Sequence, residues 1–213
     1  MNSEWSREAM LSEGVDPAKL VVIPIPYEPE HAPTLRSVPE TFTLNRPLRL
    51  LFLGQVNLRK WAAELLEAMV SLKGEPVELA IVGVTHFELP EAVRNLQSLR
   101  WHGQVPHHET ERFFQEADLF VLPTHSDGFG LAQVEALAHG LPVLTSPFCA
   151  QVVEDRLNGR VIPEVSVPEI VAAIRGILVN PRQLAAWASV CGVPEVCRVS
   201  RVSAQLREML EGM

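Results

Sequence analysis

Apolar residues in this chain follow two rhythms. Nearly continuous apolar runs at 19–23, 48–53, 77–82, 119–122 and 141–145, with a shorter one at 159–162, have the length of buried strands. Over 61–72, 110–117 and 131–139, apolar residues recur three and four positions apart, which predicts helices with one face in a core. Alternation of the two predicts an α/β fold, a single doubly wound parallel sheet with helices on its faces. Beyond residue 162 the rhythm is helical only. Segments 167–179, 181–190 and 200–210 follow one another with no strand between them, so the sheet should end near 162 and extra helices should close the chain. The amino end is a different piece, a helix over 3–13 stopped by Gly14. From 27 to 46 there is no periodicity, and Pro29, Pro33 and Pro39, with Pro47 just beyond, predict a loop long enough to suggest function or mobility. The sequence carries no internal repeat and no low-complexity tract.

The stretch HSDGFGLAQVEALAHGLPVLTS, residues 125–146, holds the densest chemistry. An apolar run closed by Pro123 precedes it, Leu131, Val134, Leu137 and Ala138 keep helical spacing, and Gly140 with Pro142 stops the helix. The unit is strand, tight loop, helix, strand, and loops at the carboxyl ends of parallel strands are where open α/β sheets bind ligands. Amides of Phe129, Gly130 and Leu131 form a helix amino terminus that suits phosphate or pyrophosphate. Asp127 in the loop and Glu135, roughly 7 Å along the helix at ~1.5 Å per residue, flank that terminus. Carboxylates accept hydrogen bonds from hydroxyls, so the pair suggests a polyhydroxylated ligand carrying a diphosphate, such as a nucleotide-sugar. A plainer alternative makes Asp127 a cap or turn residue and Glu135 an acid favoured by the helix dipole, and spacing alone favours it.

A second phosphate candidate is Gly54-Gln-Val-Asn-Leu-Arg-Lys-Trp61, which follows a strand and opens a helix. Arg59 and Lys60 there sit where the helix dipole disfavours cations, which favours an anionic ligand. The glycine spacing and the hydroxyl of a P-loop are absent. Composition then narrows the partners. With 213 residues and 47% apolar content the chain can bury one sizeable domain or two small ones. A net charge of −8 with three lysines and fifteen scattered arginines argues against a nucleic-acid surface. Cys149, Cys191 and Cys197 lack zinc spacing and are expected as reduced thiols. No apolar run approaches the ~18 residues that span a bilayer, so the expectation is a cytoplasmic protein with at most peripheral contact at the inner face of a membrane. His107-His-Glu109 reads as loop and helix start rather than metal site, Trp61, Trp101 and Trp187 as packing, and His125 as a loop residue within reach of sugar or phosphate.

In their order along the chain, several motifs resemble a known family. They are Val22-Ile-Pro24, Phe52-Leu-Gly54 with Arg59-Lys60, Ile81-Val-Gly83, Trp101-His-Gly-Gln-Val105 and Ala117-Asp-Leu-Phe-Val-Leu-Pro123. Asp127-Gly-Phe-Gly-Leu131 with Glu135-Ala136, Gly140-Leu-Pro-Val143 and Val153-Glu-Asp-Arg-Leu-Asn-Gly159 complete the set. From about residue 20 onward the chain resembles the carboxyl-terminal, donor-binding domain of the group 1 (family 4) glycosyltransferases, whose GT-B fold joins two Rossmann-like domains. The resemblance implies a retaining hexose transfer from a nucleoside diphosphate sugar, with no cofactor and no metal. By that likeness Asp127 faces the sugar hydroxyls, Glu135 binds the ribose and Lys60 stabilises the diphosphate leaving group. Gly54, Arg59, Gly128, Phe129, Gly130 and Leu131 would hold sugar or phosphate oxygens, and backbone near Gly83 and Val105 would meet the base.

Three departures from the pattern stand out. Gln55 replaces a common arginine, Asp127 replaces glutamate and is one methylene shorter, and Ile25-Pro26 replaces Asn-Gly at the hinge. The resemblance also implies that residues 1–19 are the last helix and crossover of an acceptor-binding domain and 20–213 the donor domain. Alone, such a chain should bind donor and transfer little, requiring an amino-terminal half or a separate chain, and its uncovered cleft face should be apolar and prone to homodimerise. Alternatives are a non-catalytic nucleotide-sugar-binding or scaffold module, half of a split enzyme, or, less well matched by the motif order, a nucleotide-sugar epimerase.

Overall fold

A computed structural model describes residues 1–31, 36–57, 60 and 62–211. Six strands form one sheet: β1 (Leu48–Leu53), β2 (Val77–Val82), β3 (Leu99–Gly103), β4 (Leu119–Leu122), β5 (Val143–Thr145) and β6 (Gly159–Val161). Their order is β3-β2-β1-β4-β5-β6, and every pairing is parallel. The helices are α1 (Glu4–Ser12), α2 (Ala62–Ser71), α3 (Glu91–Arg94), α4 (Thr110–Glu116), α5 (Leu131–Ala138), α6 (Val167–Val179), α7 (Pro181–Val190) and α8 (Val199–Glu211). The doubly wound sheet with extra carboxyl-terminal helices is the expected one.

Side-chain alternation along the central strands splits the core in two. Leu50 and Phe52 of β1 and Leu119 and Val121 of β4 join Met69 of α2, Ile174 of α6 and Leu184 and Trp187 of α7 on one face. Leu51, Phe120 and Leu122 face the other way, against Phe113 and Phe114 of α4 and Val134 and Leu137 of α5. Strands buried on both faces read as unbroken apolar runs, which is why β1 and β4 were easy to place. Strand order reverses between β1 and β4, so the crevice at their carboxyl ends is the topological switch point where such sheets bind ligands.

Two expectations about the sheet are corrected. The apolar run at 19–23 is no strand. A short 3-10 turn covers Pro17–Lys19, Val21 is exposed, and the segment bonds to the amino end of the chain, Ile23 donating its amide to the Met1 carbonyl at 2.8 Å. A strand the apolar pattern missed, β3, pairs with β2 at the sheet edge, where only Leu99 is fully buried and Arg100 and His102 face outward.

The described part of the 27–46 loop is anchored at several points. Tyr27 donates its amide to the Cys197 carbonyl at 2.8 Å. Arg36 donates to the Phe114 and Ala117 carbonyls at the end of α4 and to the His139 carbonyl after α5 at 3.1 Å, where the helix dipoles favour a cation. Arg46 forks onto Asp118 with bonds of 2.7 and 2.6 Å, and the Arg49 amide adds a third at 2.9 Å. Pro33, Arg59 and Trp61 lie outside the described residues; Trp101 and Trp187 pack as expected. Exposed large apolar side chains include Val190, Val196, Val199, Leu206 and Leu210 near the carboxyl end. Among the described residues no helix is long and apolar enough to cross a membrane.

Asp118 is buried and accepts all three of those bonds, so Asp118→Ala strands a guanidinium and a backbone amide. The expected loss is about 2–4 kcal/mol, seen in urea unfolding as a lower midpoint at unchanged slope; a loss below about 0.5 kcal/mol would show the fork to be ornamental.

Candidate functional site

At the switch point the loops after β1 and β4 meet. Gly54 leaves β1 with φ of 134° and Gly83 leaves β2 with φ of 143°, both in the region that favours glycine. A Cβ on Gly83 would fall 1.8 Å from the Gly54 carbonyl oxygen, so the two backbones approach as closely as two glycines allow. The Gly54 amide bonds the Val82 carbonyl at 2.9 Å, and the Gly83 amide bonds the Gly103 carbonyl at 2.7 Å. Lys60 starts the α2 turn with its amide on Asn57 Oδ1 at 3.0 Å, and its Nζ would lie 3.0 Å from a Cβ built on Gly54.

From there the Lys60 ammonium reaches Asp127, Nζ to Oδ2, at 3.3 Å, with side chains 13% and 16% exposed. Asp127 Oδ1 accepts the amides of Gly130 at 3.0 Å and Phe129 at 3.3 Å. The plain expectation for Asp127 is met: it turns the chain into α5, and its second oxygen faces Lys60. Gly130, with φ of 73°, opens α5, and a Cβ there would press on Leu122 and Gln133 at 3.0 and 3.1 Å.

Support for this loop comes from residues that patterning did not single out. Gln133, wholly buried on α5, donates Nε2 to the Phe129 carbonyl at 2.8 Å and the Ala150 carbonyl at 3.0 Å. An amide amid the apolar positions of that helix was the available signal. Thr145 Oγ1 donates to the Leu122 carbonyl at 3.1 Å, and Ser146 Oγ to the Thr124 carbonyl, tying the ends of β4 and β5 together. From the far end of the chain, Ser3 and Ser6 bond the Gly128 carbonyl. His125 packs against the Phe148 ring at 5.4 Å.

Glu135 lies apart from the Lys60–Asp127 pair. It lines a cavity of 240 Å³ with Tyr27, His31, His107, Glu111 and His139. Burial raises its carboxyl pKa above the ordinary 4.5, and His107 opposes that shift. Burial and the nearby Glu135 charge raise the Tyr27 phenol. The structure thus brings Gly54, Gly83, Lys60, Asp127, Gly128, Phe129 and Gly130 to one edge, with Leu131 at the start of α5 and Glu135 just over one turn into it. Val105 packs against the α4–α5 face of the core. Among the described residues no group of acids, histidines and cysteines could hold a metal ion, and all three cysteines are free.

Comparison with known proteins agrees with the motif order. The amylovoran biosynthesis glycosyltransferase AmsK of Erwinia amylovora is 28% identical over 177 residues, covering 73% of this chain and 44% of that protein. A D-inositol 3-phosphate glycosyltransferase of Xylanimonas cellulosilytica is 30% identical over 155 residues, covering 67% of this chain and 33% of that protein. The chain thus spans less than half the length of these curated relatives. Among solved structures, Anabaena Alr3699/HepE in complex with UDP matches the whole chain and 63% of its own, with a TM-score of 0.80 at 17% identity. Sucrose-phosphate synthase from Thermosynechococcus elongatus matches the whole chain and 57% of its own, with a TM-score of 0.74 at 22% identity. Those likenesses establish the fold, a Rossmann-like domain of GT-B type. The model of the family described as glycosyl transferases group 1 matches residues 39–189, more than half of the chain, and the chain belongs to that family.

Proposed function

We propose that the chain is the donor-binding domain of a retaining, family 4 glycosyltransferase and binds a nucleoside diphosphate sugar at the carboxyl edge of β1 and β4. The observation that carries this is the Lys60–Asp127 pair at 3.3 Å, a cation and a hydroxyl acceptor side by side where an α5 amino terminus meets the switch point. The relatives' names and the UDP bound to Alr3699/HepE support the choice of donor. Asp127 takes the sugar hydroxyls, Lys60 the diphosphate, and Glu135, in its cavity, the ribose. Gly54 and the Gly128–Leu131 backbone approach the phosphate and sugar, while Gly83 and Val105 border the base.

Breaking a glycosyl–phosphate bond builds positive charge at the anomeric carbon and negative charge on the departing diphosphate. Lys60 and the α5 amino terminus present positive potential to the leaving group, so its charge meets fixed dipoles rather than water that must reorient. Gln55 supplies no cation; the contribution of Arg59 lies outside the described residues. No metal is invoked. Residues 1–19 belong in this proposal to an acceptor-binding half and 20–213 to the donor half, so the isolated chain binds donor and transfers little. A non-catalytic sugar-nucleotide-binding module is the second reading.

Calorimetric titration with UDP, GDP and ADP and their sugar conjugates should show binding to one nucleotide series. Lys60→Ala and Glu135→Ala should each weaken it roughly 10- to 100-fold, the loss of one charge-assisted hydrogen bond. Binding unchanged in both variants would remove the site from this edge, and robust transfer to an acceptor by the chain alone would refute the half-enzyme assignment.

The buried Glu135 makes a separate expectation about stability. With its native pKa raised, the folded chain holds the proton to higher pH than the unfolded chain does. Its contribution to stability is therefore complete below 4.5 and declines as pH rises through the raised native value. Glu135→Gln should unfold at higher temperature than the parent at neutral pH, with the difference closing in acid. Equal melting temperatures at neutral pH would show that this carboxylate is not held at a cost for binding.

A further inference from the structure

Ser3 and Ser6 stand 125 and 122 residues from Gly128 in sequence, yet their hydroxyls lie 2.5 and 3.1 Å from its carbonyl oxygen. Ser3 is 4% exposed although it begins a surface helix. As the α1 cap it accepts the Ser6 amide at 3.1 Å, a task for its lone pairs that asparagine or aspartate would do as well. Its single proton goes to Gly128 directly or to Ser6 Oγ at 3.0 Å, which in turn can donate to the same carbonyl. Ser6, past the cap, sends its own proton to the same carbonyl or to Asn2 Oδ1 at 3.5 Å. Helix α1 seats closely on the loop, since a Cβ on Gly128 would meet Ser6 Oγ at 3.7 Å and Asn2 Oδ1 at 3.8 Å.

The Gly128 carbonyl and the Phe129 amide belong to one rigid trans peptide, and its two polar groups point in opposite directions. One end receives the serine hydroxyls. The other donates to Asp127 Oδ1 at 3.3 Å, while Asp127 Oδ2 faces Lys60 Nζ at 3.3 Å. Tilting that peptide would swing the Phe129 amide away from the carboxylate and free Asp127 to rotate. We infer that Ser3 and Ser6 are positioning residues for Asp127, setting the direction of its carboxylate through the Gly128–Phe129 peptide. The geometric part stands on these contacts alone; its consequence for sugar recognition rests on the donor-site proposal above. In that setting, the amino-terminal helix helps determine whether the donor sugar, as distinct from the nucleotide, is held correctly.

The test separates capping from positioning. Ser3→Asp keeps a good cap but has no proton to donate and places a charge against the carbonyl; Ser3→Thr keeps both functions; Ser6→Ala removes a donor and leaves the cap intact. Amide hydrogen exchange of the whole chain, followed by NMR without nucleotide, should speed up at Phe129 and Gly130 by about fivefold or more in Ser3→Asp/Ser6→Ala, the population change from losing one ordinary hydrogen bond. Amides of the β1 core, such as Leu51, and all amides of Ser3→Thr should keep the parent rates. Unchanged exchange at Phe129 and Gly130 would overturn the inference. Should the double variant fail to fold, Ser6→Ala alone decides it in the same way, with acceleration confined to those two amides supporting it and parent rates refuting it. Titration with UDP and UDP-glucose supplies the second arm. Ser3→Asp/Ser6→Ala should lose affinity for UDP-glucose relative to UDP while UDP itself binds as in the parent, and Ser3→Thr should bind both as the parent does. If the unmodified chain binds neither, the donor-site proposal falls, and the exchange rates still settle the positioning role.

Discussion

Two glycines in contact fix the geometry of this edge. Where β1 and β2 leave the sheet, the Gly54 and Gly83 backbones leave no room for a side chain between them, and their positive φ values turn both loops sharply. Because Gly54 has no Cβ, Lys60 can fold back across it and reach the loop after β4. Asp127 then has a cation on one oxygen and two amides on the other, and Gln133 beneath holds the same loop to Ala150. Remove the glycine contact and the lysine loses its route to the carboxylate. With it in place, a side-chain cation and two amides of the α5 terminus converge on the Asp127 carboxylate.

Local chemistry at this site was legible in the sequence, and its wiring was not. A glycine-flanked phenylalanine between two acids, set after an apolar run, pointed to Asp127 and Glu135, and the out-of-place cations before α2 pointed to Lys60. Strand order decides that Lys60 and Asp127 meet, and periodicity carries no information about order. Nor could spacing tell whether Asp127 caps a turn or faces a ligand, since its two oxygens do different things. Segment 19–23 misled because an apolar run with no sheet neighbour looks the same as one with two. Strand β3 hid because an edge strand needs only one buried position, and Leu99-Arg-Trp-His-Gly103 supplies just that. Ser3 and Ser6 lay beyond any local signal: a serine at a helix start is fully explained as a cap, and its second bond crosses more than a hundred residues.

Several features of the edge cost stability that packing alone would not demand. Glu135 is held where burial disfavours its charge, Lys60 and Asp127 are largely withdrawn from water, and Gly54 and Gly130 adopt backbone conformations in which other residues are strained. Elsewhere a buried charge is well satisfied, that of Asp118 in its fork with Arg46. Such costs, at the loops after β1 and β4 and at Glu135 in its cavity, are what the proposed donor site would call for.

At the centre of the account is the division of labour within Asp127, one oxygen shaping the loop and the other reserved for the sugar and Lys60. Titration of Asp127→Asn with UDP and with UDP-glucose addresses it directly. The substitution keeps an oxygen for the Phe129 and Gly130 amides, removes the charge that holds Lys60, and weakens hydroxyl recognition. The account expects UDP to bind at least as tightly as in the parent, with affinity for UDP-glucose relative to UDP falling roughly tenfold or more, the loss of one charge-assisted hydrogen bond. A variant that binds UDP-glucose relative to UDP as the parent does would contradict it.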